Sequence, residues 1–570
     1  MTSASRQPTF AELYTPKLVT VLREGYGRAD LKADLIAGMT VAIVALPLSM
    51  AIAIASGVPP ARGLYTAIVG GFVVSALAGC RFQIGGPAGA FIVLVAATVA
   101  AHGVDGLILA TLLSGIVLLA VGLLGLGTFI KYIPYPVTVG FTAGIALIIL
   151  VSQLKDLFGL SLAAPEPGAF IPKLEALWAA RASLSGAALA LSALTIACIV
   201  LLRRLRPHWP GFLIAVTLAA LLTWVLPLGV QTISTRFGGM PGGLPSPRLP
   251  SWSFAKISDL MPAALSFALL GGIESLLCAV VADSMTGRRH RSNAELVGQG
   301  VANIASALFG GFCVTGTIAR TATNIRAGAR GPMAGMMHAA FLLLFLLIAA
   351  PLASFIPLAA LAGVLCTVAW NMAEKHQFVA LLRASRGDAL VLLSTFLLVV
   401  FRDLSQGILV GFGLGTLLFL HRMASQVKVA LADDADGGRG RYDASVATDP
   451  DVIVYRISGA FFFGAAATVA AALDRIGEHP KAYVVDFSAV PLIDSTAAAT
   501  IEGFMRKAHR RSAGLYVTGA SAAVREVLVA HGVRSPAAHF TTTVDDALAY
   551  LHARSATRPV RTLPESVGQV

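Results

Sequence analysis

The sequence predicts a polytopic α-helical membrane protein that ends in a small soluble α/β domain. Three observations carry this expectation. The 570 residues are 56% hydrophobic and only 13% charged, about half the charged share of a soluble chain, and mean hydropathy is +0.77. The apolar residues gather into fourteen runs before about Leu420, and from about Gln426 the chain turns polar and charged. The expected organisation is a polar segment over 1–30, a transmembrane domain over 31–425, a soluble domain over 440–554 and a disordered tail over 555–570.

In order, the first seven runs are Leu35 to Ile54, Leu64 to Ala78, Ala88 to Val99, Leu107 to Leu124, Val137 to Leu154, Leu184 to Leu202 and Phe212 to Leu226. The second seven are Pro262 to Val281, Leu296 to Phe309, Thr317 to Ile325, Met333 to Ala350, Leu358 to Asn371, Ala389 to Phe401 and Leu404 to Leu420. Several reach the length a tilted span needs, about 20 residues. The third and tenth are too short, and short or glycine-broken segments at matching places mark transporter sites. The halves echo one another. Pro47 and Glu274 mark the first and eighth runs (274 − 47 = 227), and the third and tenth begin at Ala88 and Thr317 (317 − 88 = 229). Ile133-Pro134 and Ile356-Pro357 precede the fifth and twelfth (356 − 133 = 223). A near-constant offset over an odd number of segments predicts two repeats of inverted topology.

The net charge is +13, and its placement explains it without nucleic acid. Arg203-Arg204-Leu205-Arg206, Arg288-Arg289-His290-Arg291, Arg326 with Arg330, and Arg383 with Arg386 all follow even-numbered segments. With the N-terminus inside, all four loops face the cytoplasm, and so does the C-terminal domain. No apolar core with a cleavage site precedes Asp30, so a removed signal peptide is not expected. The five cysteines are scattered, giving neither a zinc spacing nor a disulfide framework. No metal or cofactor is expected. In the soluble part, strands are expected at Val452–Ser458, Ala482–Phe487 and Leu515–Thr518, and helices at Ser495–Arg510, Ala523–Ala530 and Val544–Ala553.

Glu274 is the leading candidate for chemistry, because an ionisable group inside a span usually faces an ion or substrate path. It carries a proton, binds sodium, or makes an interhelical hydrogen bond. Sodium wants several oxygen ligands, yet Cys278 stands one turn later and only Thr317 offers a hydroxyl near Gly316; the proton reading is preferred. The segments after Gln83-Ile-Gly-Gly-Pro87-Ala-Gly-Ala90 and after Gly316 would start at mid-membrane. Inverted repeats would point their two N-termini at one small cavity, an anion site made of backbone N–H groups and helix dipoles. Arg320, one turn into the tenth segment, either supplies charge to that anion, pairs with Glu274, or snorkels to an interface. Ser49, after the kinking Pro47, either lines the cavity or bonds its own backbone. In the soluble domain, Asp494-Ser495-Thr496 opens a helix. Ser495 is expected to be its N-cap, with phosphorylation or partner binding as the other reading.

Gly271-Gly-Ile-Glu274-Ser-Leu-Leu-Cys278, Glu295-Leu-Val-Gly-Gln-Gly300 with Asn303, and Ile318-Ala-Arg320-Thr-Ala-Thr-Asn324 resemble the SulP family of anion transporters. Within that family the likeness is greatest to bacterial proton-coupled C4-dicarboxylate transporters. Ile493-Asp494-Ser495-Thr496 resembles the STAS domain signature. The resemblance spans about Leu31 to Arg554. It implies a seven-plus-seven inverted repeat, a core domain (segments 1–4 and 8–11), a gate domain (5–7 and 12–14), elevator-like movement and a homodimer. It places the substrate at Ala88, Gly89, Ala90, Phe91, Gly316, Thr317 and Ile318, with Ser49 nearby, and the coupling acid at Glu274. Two departures bear on specificity. Sodium-coupled bicarbonate relatives pair an Asp with a hydroxyl residue one turn on, where this chain has Glu274 and Cys278. Many eukaryotic relatives have Gln where this chain has Leu48.

The expected function is proton-coupled symport of a dicarboxylate such as succinate or fumarate across a bacterial inner membrane. The chain would not be an enzyme. Its partners would be the anion, protons, the bilayer, a second copy and a cytoplasmic protein at the STAS domain. The alternatives are sulfate or bicarbonate as cargo, a nucleobase permease, a passive anion channel and a membrane-tethered signalling protein.

Overall fold

The computed structural model describes residue 9 and residues 13–128, 134–164, 166–206, 209–226, 228–402, 404–431, 451–474 and 480–556. Ile133, the start of the soluble domain over 440–450, and the tail beyond Ala556 lie outside the described residues. The chain divides into two compact units, Met1–Gly415 and Thr416–Val570.

The predicted apolar runs become thirteen helices: α1 Arg28–Ala55, α2 Pro60–Leu77, α3 Gly89–Leu123, α4 Tyr135–Phe158, α5 Gly186–Leu205, α6 Gly211–Val225, α7 Phe254–Thr286, α8 Ser292–Leu308, α9 Ile318–Arg326, α10 Met333–Ala353, α11 Leu358–Met372, α12 Arg386–Phe401 and α13 Leu404–Ser425. The third and fourth runs merge into α3, but Gly103 breaks it with φ 68°, a left-handed conformation that glycine adopts without penalty. Among the described residues, eight helices are long and apolar enough to cross a membrane.

Ordinary local signals set the ends. Ser185 Oγ accepts from Ala188 N–H to cap α5, and Arg203 and Arg204 sit in its last turn, where positive charge suits the helix dipole. Ser253 caps α7 in the same way, and Gly287 closes it in the left-handed region. Two packing groups result. In one, α3 packs along α8 and α7, and α1 packs on α10. In the other, α4 packs on α11 and α12, and α5 packs on α11 and α6.

Two short strands join the halves. β1 (Gly85–Gly86) pairs antiparallel with β2 (Thr315–Gly316), Gly85 opposite Gly316 and Gly86 opposite Thr315. The partners are 316 − 85 = 231 and 315 − 86 = 229 residues apart, the repeat offset read from the sequence. Equivalent strands that meet antiparallel are what a two-fold axis in the membrane plane requires.

The second unit holds a five-stranded sheet in chain order: β3 Lys428–Leu431, β4 Val452–Ser458, β5 Ala482–Ala489, β6 Gly514–Thr518 and β7 Ala538–Thr541. β3 pairs antiparallel with β4, and the remaining pairs are parallel. The helices are α14 Phe463–Asp474, α15 Ser495–Arg510, α16 Ala522–Ala530 and α17 Val544–Ala556. The sheet therefore begins before residue 440, and the last helix outruns residue 554. The central strand β5 is buried on both faces along Ala482–Phe487, as parallel strands between helices are.

Candidate functional site

The site is built on backbone. Three residues after β1 a 3-10 turn, Gly89–Phe91, starts α3, and two residues after β2 α9 starts at Ile318. Neither start carries a side-chain cap. The β1–β2 pairing sets these starts beside one another, so the free N–H groups of two first turns, from opposite halves, serve one place. Ala88, Ala90, Phe91 and Gly316 are buried, Gly89 and Thr317 are partly open, and Ile318 is 42% exposed. The cradle thus opens at Gly89, Thr317 and Ile318. Ile149 of α4 and Met372 of α11 stand opposite: a Cβ on Gly89 would lie 3.4 Å from Ile149 Cδ1 and 3.8 Å from Met372 Sδ. Phe91 closes the floor edge-on against Phe267, with ring centroids 6.0 Å apart.

Arg320 is 1% exposed, which overturns the snorkelling reading. Its Nη2 donates to Ser49 Oγ at 3.2 Å and to the Pro87 carbonyl at 3.4 Å. Its Nε and Nη1 have no partner, and no carboxylate pairs with it among the described residues. The pairing with Glu274 is therefore absent. Ser49, fully buried, accepts from Arg320 and makes no bond to its own backbone among the described residues; it holds the guanidinium at the cradle. Two glycines make room for this arrangement. A Cβ on Gly86 would sit 2.5 Å from Arg320 Nη1, and one on Gly316 would sit 2.0 Å from Gln83 Nε2. The Thr317 hydroxyl donates to the Ile84 carbonyl at 3.0 Å. Donating its hydrogen leaves the oxygen lone pairs free, so this bond orients Thr317 against the approach to β1.

Glu274 has no hydrogen-bond or ion-pair partner among the described residues, so the interhelical-bond reading fails. Its place is fixed from both sides. Thr315 Oγ1 donates to the Gly271 carbonyl at 3.0 Å, and Cys278 Sγ donates to Thr321 Oγ1 at 3.2 Å. Residues 271, 274 and 278 share one helix face, so α7 presents Glu274 between β2 and α9.

The residues of α8 that carry the family resemblance, Glu295 to Gly300 with Asn303, have a structural task. Glu295, Gln299, Asn303 and Ser306 are spaced four, four and three apart and are all fully or nearly fully buried. They bond the non-helical backbone. Glu295 accepts from Cys80 N–H at 2.8 Å and from Ser275 Oγ at 2.8 Å. Gln299 donates to the Val314 carbonyl, Asn303 Oδ1 accepts from Val314 N–H at 2.8 Å, and Ser306 donates to the Phe312 carbonyl at 2.8 Å. Ser275 also accepts from Gln83 at 2.8 Å, which ties the residue beside Glu274 to the strand approach of the other half. Backbone that leaves the helix at membrane depth needs such partners. The signal that would have found them is the helical spacing of polar side chains in an apolar segment.

In the second unit Asp494, not Ser495, caps α15. Its Oδ1 accepts from Ala497 N–H and its Oδ2 from Phe463 N–H, both at 2.9 Å. The carboxylate one position earlier reaches the first-turn N–H and leaves Ser495 exposed on the helix surface.

Helices broken at paired strands, with two bare N-termini and a buried guanidinium between them, define a membrane transporter of the inverted-repeat class. The Sulfate permease family matches residues 31–395, and the STAS domain matches residues 443–547. The chain belongs to the sulfate permease family, a family of membrane anion transporters. It is 37% identical over 507 residues to the putative sulfate transporter YvdB of Bacillus subtilis, covering 89% of this chain and 94% of that protein. It is 32% identical over 521 residues to the bicarbonate transporter BicA of Synechocystis, covering 86% and 89%. The solved structure of SLC26A9 shares the fold, with a TM-score of 0.81 at 17% identity over 95% of this chain and 93% of that one.

Proposed function

We propose that the protein is a secondary active transporter of a small inorganic oxyanion, sulfate first and bicarbonate second, that binds in the cradle between Ala88–Phe91 and Gly316–Ile318. One observation carries this reading: Arg320 is a buried cation with two unpartnered N–H-bearing nitrogens and no carboxylate, at the meeting point of two helix N-termini. Burying a charge without a counterion is expensive, and an anionic cargo supplies the counterion. The expected dicarboxylate cargo gains no support from the named relatives, a putative sulfate transporter and a bicarbonate transporter.

Glu274 couples the anion to protons. Ionised, it places a negative charge beside the cradle and repels the cargo; protonated, it lets the anion in and reduces the charge carried across. Its lack of a partner among the described residues suits a group that must take up and release a proton, and Cys278 in place of a hydroxyl argues against sodium. The core helices α1–α3 and α7–α10 move with the cargo against α4–α6 and α11–α13, in a homodimer. The chain lies in a bacterial inner membrane, with the basic loops and both termini in the cytoplasm. Exposed Ser495 offers the STAS domain a modification or partner site.

The test is uptake of radiolabelled sulfate, bicarbonate, succinate and fumarate into proteoliposomes, with and without an inward proton gradient. Gradient-driven accumulation of sulfate is expected, and Glu274→Gln should abolish the response to the gradient. Accumulation of succinate alone would restore the dicarboxylate reading. Flux that only equilibrates would make the protein a channel.

A further inference from the structure

A cavity of about 620 Å³ lies between α4, α5 and α11. The volume is within the range in which proteins hold small ligands, roughly 300–1,000 Å³. Leu150 of α4, Ile199 of α5 and Cys366 of α11 make its wall. Its mouth is cationic. Arg203 and Arg204 end α5, and Trp370 and Asn371 end α11. Arg203 Nη1 donates to Asn371 Oδ1 at 2.8 Å, which holds the guanidinium over the opening with a neutral partner. Arg204 has no hydrogen-bond or ion-pair partner among the described residues, and no acidic side chain lines the cavity. Beside the mouth, Lys375 Nζ lies 3.8 Å from the centre of the Trp370 ring and donates to the Trp370 carbonyl at 2.8 Å.

We propose that this cavity is a binding site for a phospholipid with an anionic head group, its phosphate at Arg203 and Arg204 and an acyl chain against Leu150, Ile199 and Cys366. The argument is one of matched chemistry at matched depth. An apolar groove between helices takes hydrocarbon, and a basic cluster where those helices leave the membrane takes an anionic head group. An exposed tryptophan, 62% exposed here, marks the same interfacial level. Scattered basic residues at a cytoplasmic boundary need no ligand. Here two of them cap one cavity, and one is held in place by a side chain of the opposing helix. The site also adjoins the transport path. Leu150 follows Ile149 and Asn371 precedes Met372, the two side chains that face Gly89. Lipid in the groove therefore contacts α4 and α11, the two helices that also face Gly89.

The experiment uses the full-length protein, purified and delipidated in detergent, then titrated with phosphatidylglycerol, phosphatidylcholine or soluble glycerol phosphate. Retained lipid is counted by native mass spectrometry, and thermal stability is followed in parallel. Phosphatidylglycerol is expected to be retained and to raise the unfolding midpoint, and the other two to do neither. The double variant Arg203→Gln, Arg204→Gln should weaken phosphatidylglycerol binding by roughly thirty-fold, the factor that two basic side chains at a membrane surface supply. Arg203→Lys with Arg204→Lys should restore most of it, which separates charge from folding. Ile199→Trp should displace the acyl chain while leaving the arginines in place. Equal retention of phosphatidylcholine, or a Gln variant that binds as the wild type does, overturns the proposal. Stabilisation by glycerol phosphate alone also overturns it, because the site would then be one for soluble anions. None of these readouts depends on transport, so they stand or fall separately from the cargo assignment.

Discussion

At the scale of single residues, the site turns on one guanidinium and the space kept for it. Arg320→Gln removes the charge but keeps a side chain that can donate. Its cost should be that of charge-assisted hydrogen bonds, about 1.5–3 kcal/mol, so KM for anion uptake should rise about 10- to 100-fold. Gly86→Ala should move KM in the same direction without touching the charge, because the new Cβ would stand 2.5 Å from Arg320 Nη1 and push the guanidinium off Ser49. Concentration-dependent uptake by the two variants, each shown monodisperse by gel filtration, checks both. A Gly86→Ala protein with unchanged KM would mean that Arg320 does not need its observed position. Arg320 and Glu274 were legible from the sequence because a charge in an apolar run stands out. That they avoid each other was not legible, since the distance between two helices is invisible in spacing. Nor was the fate of the Thr317 and Ser49 hydroxyls, because each bonds a partner from the other half of the chain.

Among the elements, α8 has a task that no hydropathy reading assigns. It is a rack of polar side chains that satisfies backbone where the fold abandons helical hydrogen bonding. Asn303→Ala should leave the Val314 N–H buried and unpaired, while Gln299 still serves the Val314 carbonyl. One orphaned buried donor costs about 1–3 kcal/mol, to be read as a lowered thermal unfolding midpoint of the purified protein. Retention of the wild-type midpoint would remove α8 from the support of β2. The fourteen apolar runs were legible because lipid imposes long uniform segments. The merging of the third and fourth runs into α3 was not, as one glycine at φ 68° decides it. In the soluble unit the strongly patterned β4, β5 and β6 were legible. β3 and β7, with four residues each, are too short for a period to declare itself. The cap of α15 was misplaced by one position because Asp and Ser both cap well, and only geometry decides between neighbours.

For the whole molecule, the distribution of arginines makes a claim about sidedness. Arg206→Cys and Arg289→Cys lie in loops after α5 and α7, and both should react with a membrane-impermeant thiol reagent from the cytoplasmic face alone. The background should be low, because four of the five native cysteines are buried and Cys198 is partly so. Labelling of the two positions from opposite faces would break the assigned topology. The repeat itself was legible as an offset of about 223–229 residues. The structure adds how the repeats are joined, through two-residue strands whose register reproduces that offset.

The β1–β2 pair also constrains how the protein is made. Gly85 and Gly86 enter the membrane with backbone groups whose partners, Thr315 and Gly316, lie about 230 residues further along the chain. While the first half waits for the second to be translated, that stretch of peptide is without its lasting bonds, in a medium that offers no water to replace them. The first seven segments are therefore an unfinished product and not a small transporter in their own right. A chain that stops before Thr315 would leave Gly85 and Gly86 without these partners, and the fold closes only when the tenth segment arrives.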